Sequence, residues 1–193
     1  MKRKIGWVMA MVGVAFLVVN ALSQEKGRQI TIEKLQDIQN PESEFNIELW
    51  TDREDCNYKI GEQVVFFFKT NRDCRLTLFN IATSGEVLIL FPNAYHSDNL
   101  VKAGETYRIP PEGAKFIFRV KGPAGEDVVK AIATLENVPL VNEEDVQKTE
   151  EGLNVITKGE KSIAVELYEA LKPVNPKRWA EAEKTIKVME GRR

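Results

Sequence analysis

Hydrophobic and polar positions change rhythm along the chain. From Phe45 the period is two, with Phe45, Ile47 and Leu49 alternating with Asn46, Glu48 and Trp50, which predicts a strand with one wet face. Trp50 falls on that outer face. Val64-Val65-Phe66-Phe67-Phe68 is an unbroken run of β-branched and aromatic residues, too short for a helix. It predicts a strand buried on both faces near the sheet centre. Leu76, Leu78 and Asn80 then alternate with Thr77, Phe79 and Ile81, Ser84-Gly85 supplies a turn, and Val87 to Phe91 runs back as the second half of a hairpin. Tyr107 to Ile109, Phe116 to Val120 and Val128 to Leu135 add three more strands. Pro110-Pro111-Glu112-Gly113 and Gly122-Pro123-Ala124-Gly125 separate them as turns.

Seven short strands with a turn signal every ten residues or so predict an all-β chain, an antiparallel β-sandwich of immunoglobulin-like architecture. The Cys–Trp–Cys arrangement of true immunoglobulin domains is missing, so the likeness is one of architecture only. Past Pro139 the grammar shifts toward one or two short C-terminal helices. Asn142 stands as a helix cap before Glu143-Glu144-Asp145. Ile163, Leu167 and Leu171, with Tyr168 beside them, predict an amphipathic helix over Glu160 to Leu171, although Ile163, Val165 and Leu167 also fit a strand. Pro173 and Pro176 end it, and alternation resumes from Trp179 as a closing strand. Residues 24–44 are polar with a weak patch at Ile30, Ile32, Leu35 and Ile38, a linker or capping segment. The sandwich is read as one domain over 45–193.

The first residues set the compartment. Lys2, Arg3 and Lys4 precede an uncharged apolar run from Ile5 to Val19, and Ala21-Leu22-Ser23 places small residues where a signal peptidase reads. This predicts export to the periplasm or beyond, with cleavage after Ser23. The competing reading is an uncleaved anchor, since Ile5 to Leu22 sits at the lower edge of the ~17–25 residues that span a bilayer. Without a cysteine at the cleavage point, lipid attachment is not expected. Cleavage removes three of the 27 Lys and Arg and none of the 29 Asp and Glu, so the mature chain carries about −5. A mildly acidic surface disfavours nucleic acid and anionic lipid as partners, and the processed form is not expected to enter the membrane.

The most specific stretch is Gly85 to Pro110, in which a strand stops abruptly at Leu90-Phe91-Pro92-Asn93 and an Asn-rich loop leads to Gly104-Glu105-Thr106-Tyr107-Arg108-Ile109-Pro110. With Trp50-Thr51-Asp52-Arg53, Tyr58-Lys59-Ile60-Gly61-Glu62, Asp73-Cys74, Phe79-Asn80, Gly122-Pro123-Ala124-Gly125 and Ala131 to Thr134, this stretch resembles the envelope-facing bacterial family called domain of unknown function 4384, from about Phe45 to about Thr134. The resemblance implies a fold and a compartment. It implies no reaction, because the family has no established activity. It also implies a module often placed beside other domains, and a closing tryptophan-led strand within the same domain.

Chemistry is sparse. His96, the only histidine, lies in Tyr95-His96-Ser97-Asp98-Asn99, where neighbours in an extended loop point apart and cannot form a nucleophilic triad. One histidine and two distant cysteines cannot assemble a zinc site. Asn93, Asp98 and Asn99 offer oxygen ligands for calcium, yet turn formation explains them better. No metal, cofactor or catalytic residue is therefore assigned. Cys56 and Cys74 suggest a disulfide in an exported protein, whereas an intervening extended strand of about eight residues would hold them ~26 Å apart, beyond the ~7 Å a bridge allows.

Leu90, Phe91, Pro92 and Asn93 read first as a structural stop. The loop they open, with Asn93, Tyr95, His96 and Asn99, is the candidate recognition surface, and Trp50 is a second candidate on the outer face. The expected function is a non-catalytic module that binds or scaffolds another cell-envelope protein. The alternatives are a carbohydrate-binding module using Trp50 or Tyr95 as a stacking platform, or a hydrolase using Asp52, Glu54 or Asp98.

Overall fold

The computed structural model describes residues 32–149 and 152–191; the signal segment expected at 1–23 lies outside them. In chain order come β1 (Ile47–Thr51), β2 (Asn57–Lys59), β3 (Gln63–Val64), β4 (Phe66–Thr70), β5 (Cys74–Ile81), β6 (Val87–Phe91) and β7 (Leu100–Val101). Then follow β8 (Thr106–Ile109), β9 (Phe118–Arg119), β10 (Gly125–Thr134), β11 (Val146–Lys148), β12 (Asn154–Ile156), helix α1 (Glu160–Leu171) and β13 (Trp179–Met189). The chain is mainly β, as its alternation predicts, and the helix and closing strand start where the sequence places them.

The large sheet runs β11-β12-β6-β5-β10-β13-β2, with β7 also pairing with β5. Its neighbours are antiparallel except β2, which lies parallel to β13. A small sheet β1-β4-β8 packs over one face, and β3 and β9 form a separate two-stranded ribbon. Between the two sheets lies a core of Phe66, Phe68 and Ile109 against Leu76, Leu78 and Phe91. This is the sandwich.

The opposite face of the large sheet is covered as well. Phe79, Ile81, Val87, Ile89 and Ile132 meet Ile163, Leu167 and Leu171 of α1 and the N-terminal Ile32, Leu35 and Ile38. Hence residues 32–44 of the polar-looking segment act as a cap, while Ile30 of the expected patch lies outside the described residues. Lys130 is buried in this layer, with Nζ 2.6 Å from Glu181 and 3.6 Å from Glu183 on β13. An ammonium at such depth is tolerated only with paired charges beside it.

Covering both faces changes which strand is central. Every residue of β5 except Arg75 is buried, and so is every residue of β10 from Asp127 on, so the strands buried on both faces are β5 and β10, not Val64 to Phe68. In that earlier run burial alternates: Phe66 and Phe68 point inward, while Val65 and Phe67 are only half-buried. The run is also broken at Val65, which turns its backbone to Asp52: the Val65 N–H donates to Asp52 Oδ1 and the Asp52 N–H donates to the Val65 carbonyl. A continuous apolar run thus reported two short strands with an aromatic outer face.

Smaller corrections follow from backbone accounting. The strand expected over Phe116 to Val120 shortens to β9, and Glu143–Asp145 is a single 3-10 turn in which Asn142 makes no side-chain cap. Cys56 and Cys74 are both free and buried.

Candidate functional site

The register of β5 and its neighbours assembles the floor of a groove. Asn80 shares its face with Leu76 and Leu78, and it pairs with Leu88 on β6 and Val129 on β10. Asp127 and Ile186 lie opposite each other where β10 meets β13. Beside these residues the small sheet gives way to the β3–β9 ribbon, and a cavity of about 490 Å3 lies between the layers. Such a volume falls within the range of small-ligand sites.

Its floor is Asn80, Leu88, Leu90, Asp127 and Ile186, and its roof is the segment from Lys115 to Gly122 with Val64 and Phe66. Tyr95 closes one side by stacking on Phe116, ring centroids 4.1 Å apart. Along the roof, Lys115, Ile117, Arg119 and Lys121 are exposed while Phe118 and Val120 turn into the core. This is strand alternation with basic residues on the wet side.

Two polar groups on the floor differ in kind. Asp127 is committed: its Oδ1 accepts from the Thr83 N–H at 2.7 Å and the Thr83 hydroxyl at 2.9 Å. Asn80 is 8% exposed, and its side-chain amide meets no hydrogen-bond partner among the described residues. The amide is not among the fully buried polar atoms left unpartnered, so it opens on the groove where water can reach it. A ligand that displaces this water has to replace its hydrogen bonds.

The LFPN element divides between structure and groove. Leu90 and Phe91 are buried core residues, and the Phe91–Pro92 peptide is cis. Asn93 is buried with both ends of its side chain bonded: Nδ2 donates to the Leu90 carbonyl, and Oδ1 accepts from the Tyr95 and His96 N–H groups. His96 sets its ring edge-on to Phe91 at 4.9 Å. Asn99 Oδ1 accepts from Arg75, and its carbonyl accepts from Leu76 N–H. Of the loop candidates only Tyr95, 53% exposed, reaches the groove. Trp50 lies elsewhere, stacked on Phe67 at 5.6 Å with planes 8° apart.

The carboxylates weighed for hydrolysis do not gather. Asp52 accepts from the Tyr58 hydroxyl at 2.8 Å and from Val65 N–H at 2.9 Å, and Asp98 accepts from Leu100 N–H. Glu54 is exposed. The carboxylates that line the groove are Glu86 and Asp127. The oxygens of Asn93, Asp98 and Asn99 each take part in a turn or cross-strand bond, and no cluster of three His, Cys, Asp or Glu suited to a metal occurs among the described residues. No helix among them is long and apolar enough to cross a membrane.

Asn80, Phe116 and the Lys115, Arg119, Lys121 row escaped the sequence reading. A signal existed for the first: an asparagine in register with Leu76 and Leu78 has to face whatever those leucines face. The basic row gave none, because its alternation is also what an ordinary solvated strand shows.

No curated protein and no solved structure is significantly similar to this chain. One family model matches residues 57–137, a span from β2 past β10 that contains the LFPN element and every groove-lining residue except Leu153 and Ile186. The family whose model residues 57–137 match is described as Domain of unknown function (DUF4384).

Proposed function

We propose that this chain is an exported, non-catalytic binding module that takes part of another cell-envelope protein into the groove between its sheets. The groove itself carries the reading. It is largely apolar, and its rim holds Tyr95 and Ile117, two of the four exposed large hydrophobic side chains among the described residues. Exposed apolar side chains gathered at one concave site mark a surface that a partner covers. Asn80 adds hydrogen-bonding capacity, while the better-placed carboxylate, Asp127, is tied to Thr83. That combination suits recognition more than proton transfer. The export part of the proposal rests on the basic and apolar pattern of residues 2–23.

Capture from a native envelope extract tests the site. Leu88→Glu, which puts a charge on the half-buried groove floor, is expected to lose the proteins that the wild-type chain retains, and Trp50→Ala and His96→Ala are expected to keep them. Equal capture by a folded Leu88→Glu variant would remove the groove from consideration. Intact-mass measurement of the exported protein tests the compartment, with the mature chain expected to begin near Gln24.

A further inference from the structure

We propose that the groove's ligand is an extended, acidic peptide segment that adds as a strand to the outer edge of β9; this inference rests on the groove being the binding site. Three independent observations meet there. The first is backbone accounting. Val120 N–H donates to the Glu62 carbonyl, and in the same antiparallel register Val64 faces Phe118 and Gln63 faces Arg119. Hydrogen-bonded and non-bonded pairs alternate in such a ladder. Phe118 and Val120 therefore point their N–H and C=O groups at β3, and Ile117 and Arg119 point theirs away from it. β9 pairs with no other strand, and neither residue's backbone meets a partner among the described residues. An unpaired edge of this kind is a template for a further strand.

The second observation is Asn80. A carboxamide offers one acceptor and one donor site side by side, complementary to the C=O and N–H of a peptide. It lies on the floor of the groove that Ile117 and Arg119 line, on a residue nine-tenths buried, and it has no hydrogen-bond partner among the described residues. An acyl chain in the same space would leave it unsatisfied, so the groove favours a peptide over a lipid.

Charge is the third. Lys115, Arg119 and Lys121 stand in a row on the exposed side of the groove roof, and none of them forms an ion pair among the described residues. The chain as a whole is net acidic. A basic row on an acidic protein selects an acidic ligand and rejects a basic one. The inferred ligand alternates apolar side chains, directed into the cavity, with carboxylates directed at this row.

The test uses the full chain, isotope-labelled for amide NMR, and three probes: a capped peptide alternating valine with glutamate, its valine–lysine counterpart, and dodecanoate. The acidic peptide is expected to move the Ile117 and Arg119 amides and the Asn80 side-chain amide, and to bind at least about tenfold tighter than the lysine peptide. N-methylation of every second peptide amide is expected to weaken binding about tenfold in one register and to be tolerated in the other, since only one edge of the peptide faces β9. Asn80→Leu removes an unpartnered polar group, so the variant is expected to fold at undiminished stability and to bind about tenfold more weakly. Arg119→Glu with Lys121→Glu is expected to reverse the charge preference. Binding that is indifferent to both N-methyl registers, or that leaves Ile117 and Arg119 unmoved, overturns strand addition. Occupation by dodecanoate but by neither peptide overturns the peptide and leaves the groove as a site. No response to any probe overturns both readings.

Discussion

Tyr95 lies flat on Phe116, with ring centroids 4.1 Å apart and planes 12° from parallel. The contact joins the LFPN loop to the roof of the groove. Gly152, in the turn between β11 and β12, comes so close that a Cβ there would sit 2.7 Å from Tyr95 Cε2. Tyr95 is therefore a wall between two loops, even though half of it is exposed.

That placement sets the first prediction. Tyr95→Ala is expected to lower stability by about 0.5–1.5 kcal/mol, the usual worth of an aromatic pair beyond its area. Tyr95→Phe is expected to restore most of it. Denaturant midpoints of the two variants check this, and no difference between them and the wild type would mean that the stack carries no energy.

Neighbouring phenylalanines on β4 should behave differently. Phe68 is fully buried, between Phe91 and Tyr107, so Phe68→Ala is expected to cost ~3–5 kcal/mol. Phe67 faces outward under Trp50, and Phe67→Ala is expected to cost only ~1 kcal/mol, with a coupling to Trp50→Ala of ~0.5–1.5 kcal/mol in a double-mutant cycle. Equal losses at the two positions would contradict the one-sided burial of the small sheet.

Lys130 gives a third. Lys130→Ala removes both a buried stem and the cation that faces Glu181 and Glu183, and it is expected to cost ~2–4 kcal/mol. Lys130→Met with Glu181→Gln and Glu183→Gln keeps the volume and removes both stranded charges, so it is expected to recover most of that loss. Urea unfolding of the two variants gives the comparison.

Alkaline pH gives the fourth. Burial is the main cause that pushes the Cys74 thiol from 9.0 up to about 11 and the Tyr58 hydroxyl from 10.0 up to about 12. Both acids ionise earlier in the unfolded chain, which then binds fewer protons than the folded one. Stability is thus retained below about pH 9 and lost as pH rises through about 11 to 12. Urea midpoints measured across that interval are expected to fall, and Cys74→Ala is expected to flatten the part that begins near pH 9.

How much of this was legible depends on the range of the interactions involved. Val87–Phe91, Glu160–Leu171 and the start of the closing strand at Trp179 coincide with the elements read from the sequence, since alternation, a fourfold apolar spacing and proline stops act within a few residues. The run at Val64 to Phe68 misled, because its apolar character comes from two different causes: inward packing at Phe66 and Phe68, and an aromatic stack on the outer face at Phe67.

By itself the sequence determined the mainly β character, most strand positions, the helix, the LFPN stop and the family, because each rests on side-chain period, turn chemistry or a string of neighbouring residues. Tertiary structure alone decided that β5 and β10 are the strands covered on both faces, that Asn99 bonds Arg75, and that Asn80 and the row from Lys115 to Lys121 line one groove. These relations link residues 24 positions or more apart, or depend on which groups are left without partners after packing. No local pattern encodes them: burial and hydrogen-bond completion belong to the assembled layers, and a residue's role changes with whatever the fold brings against it.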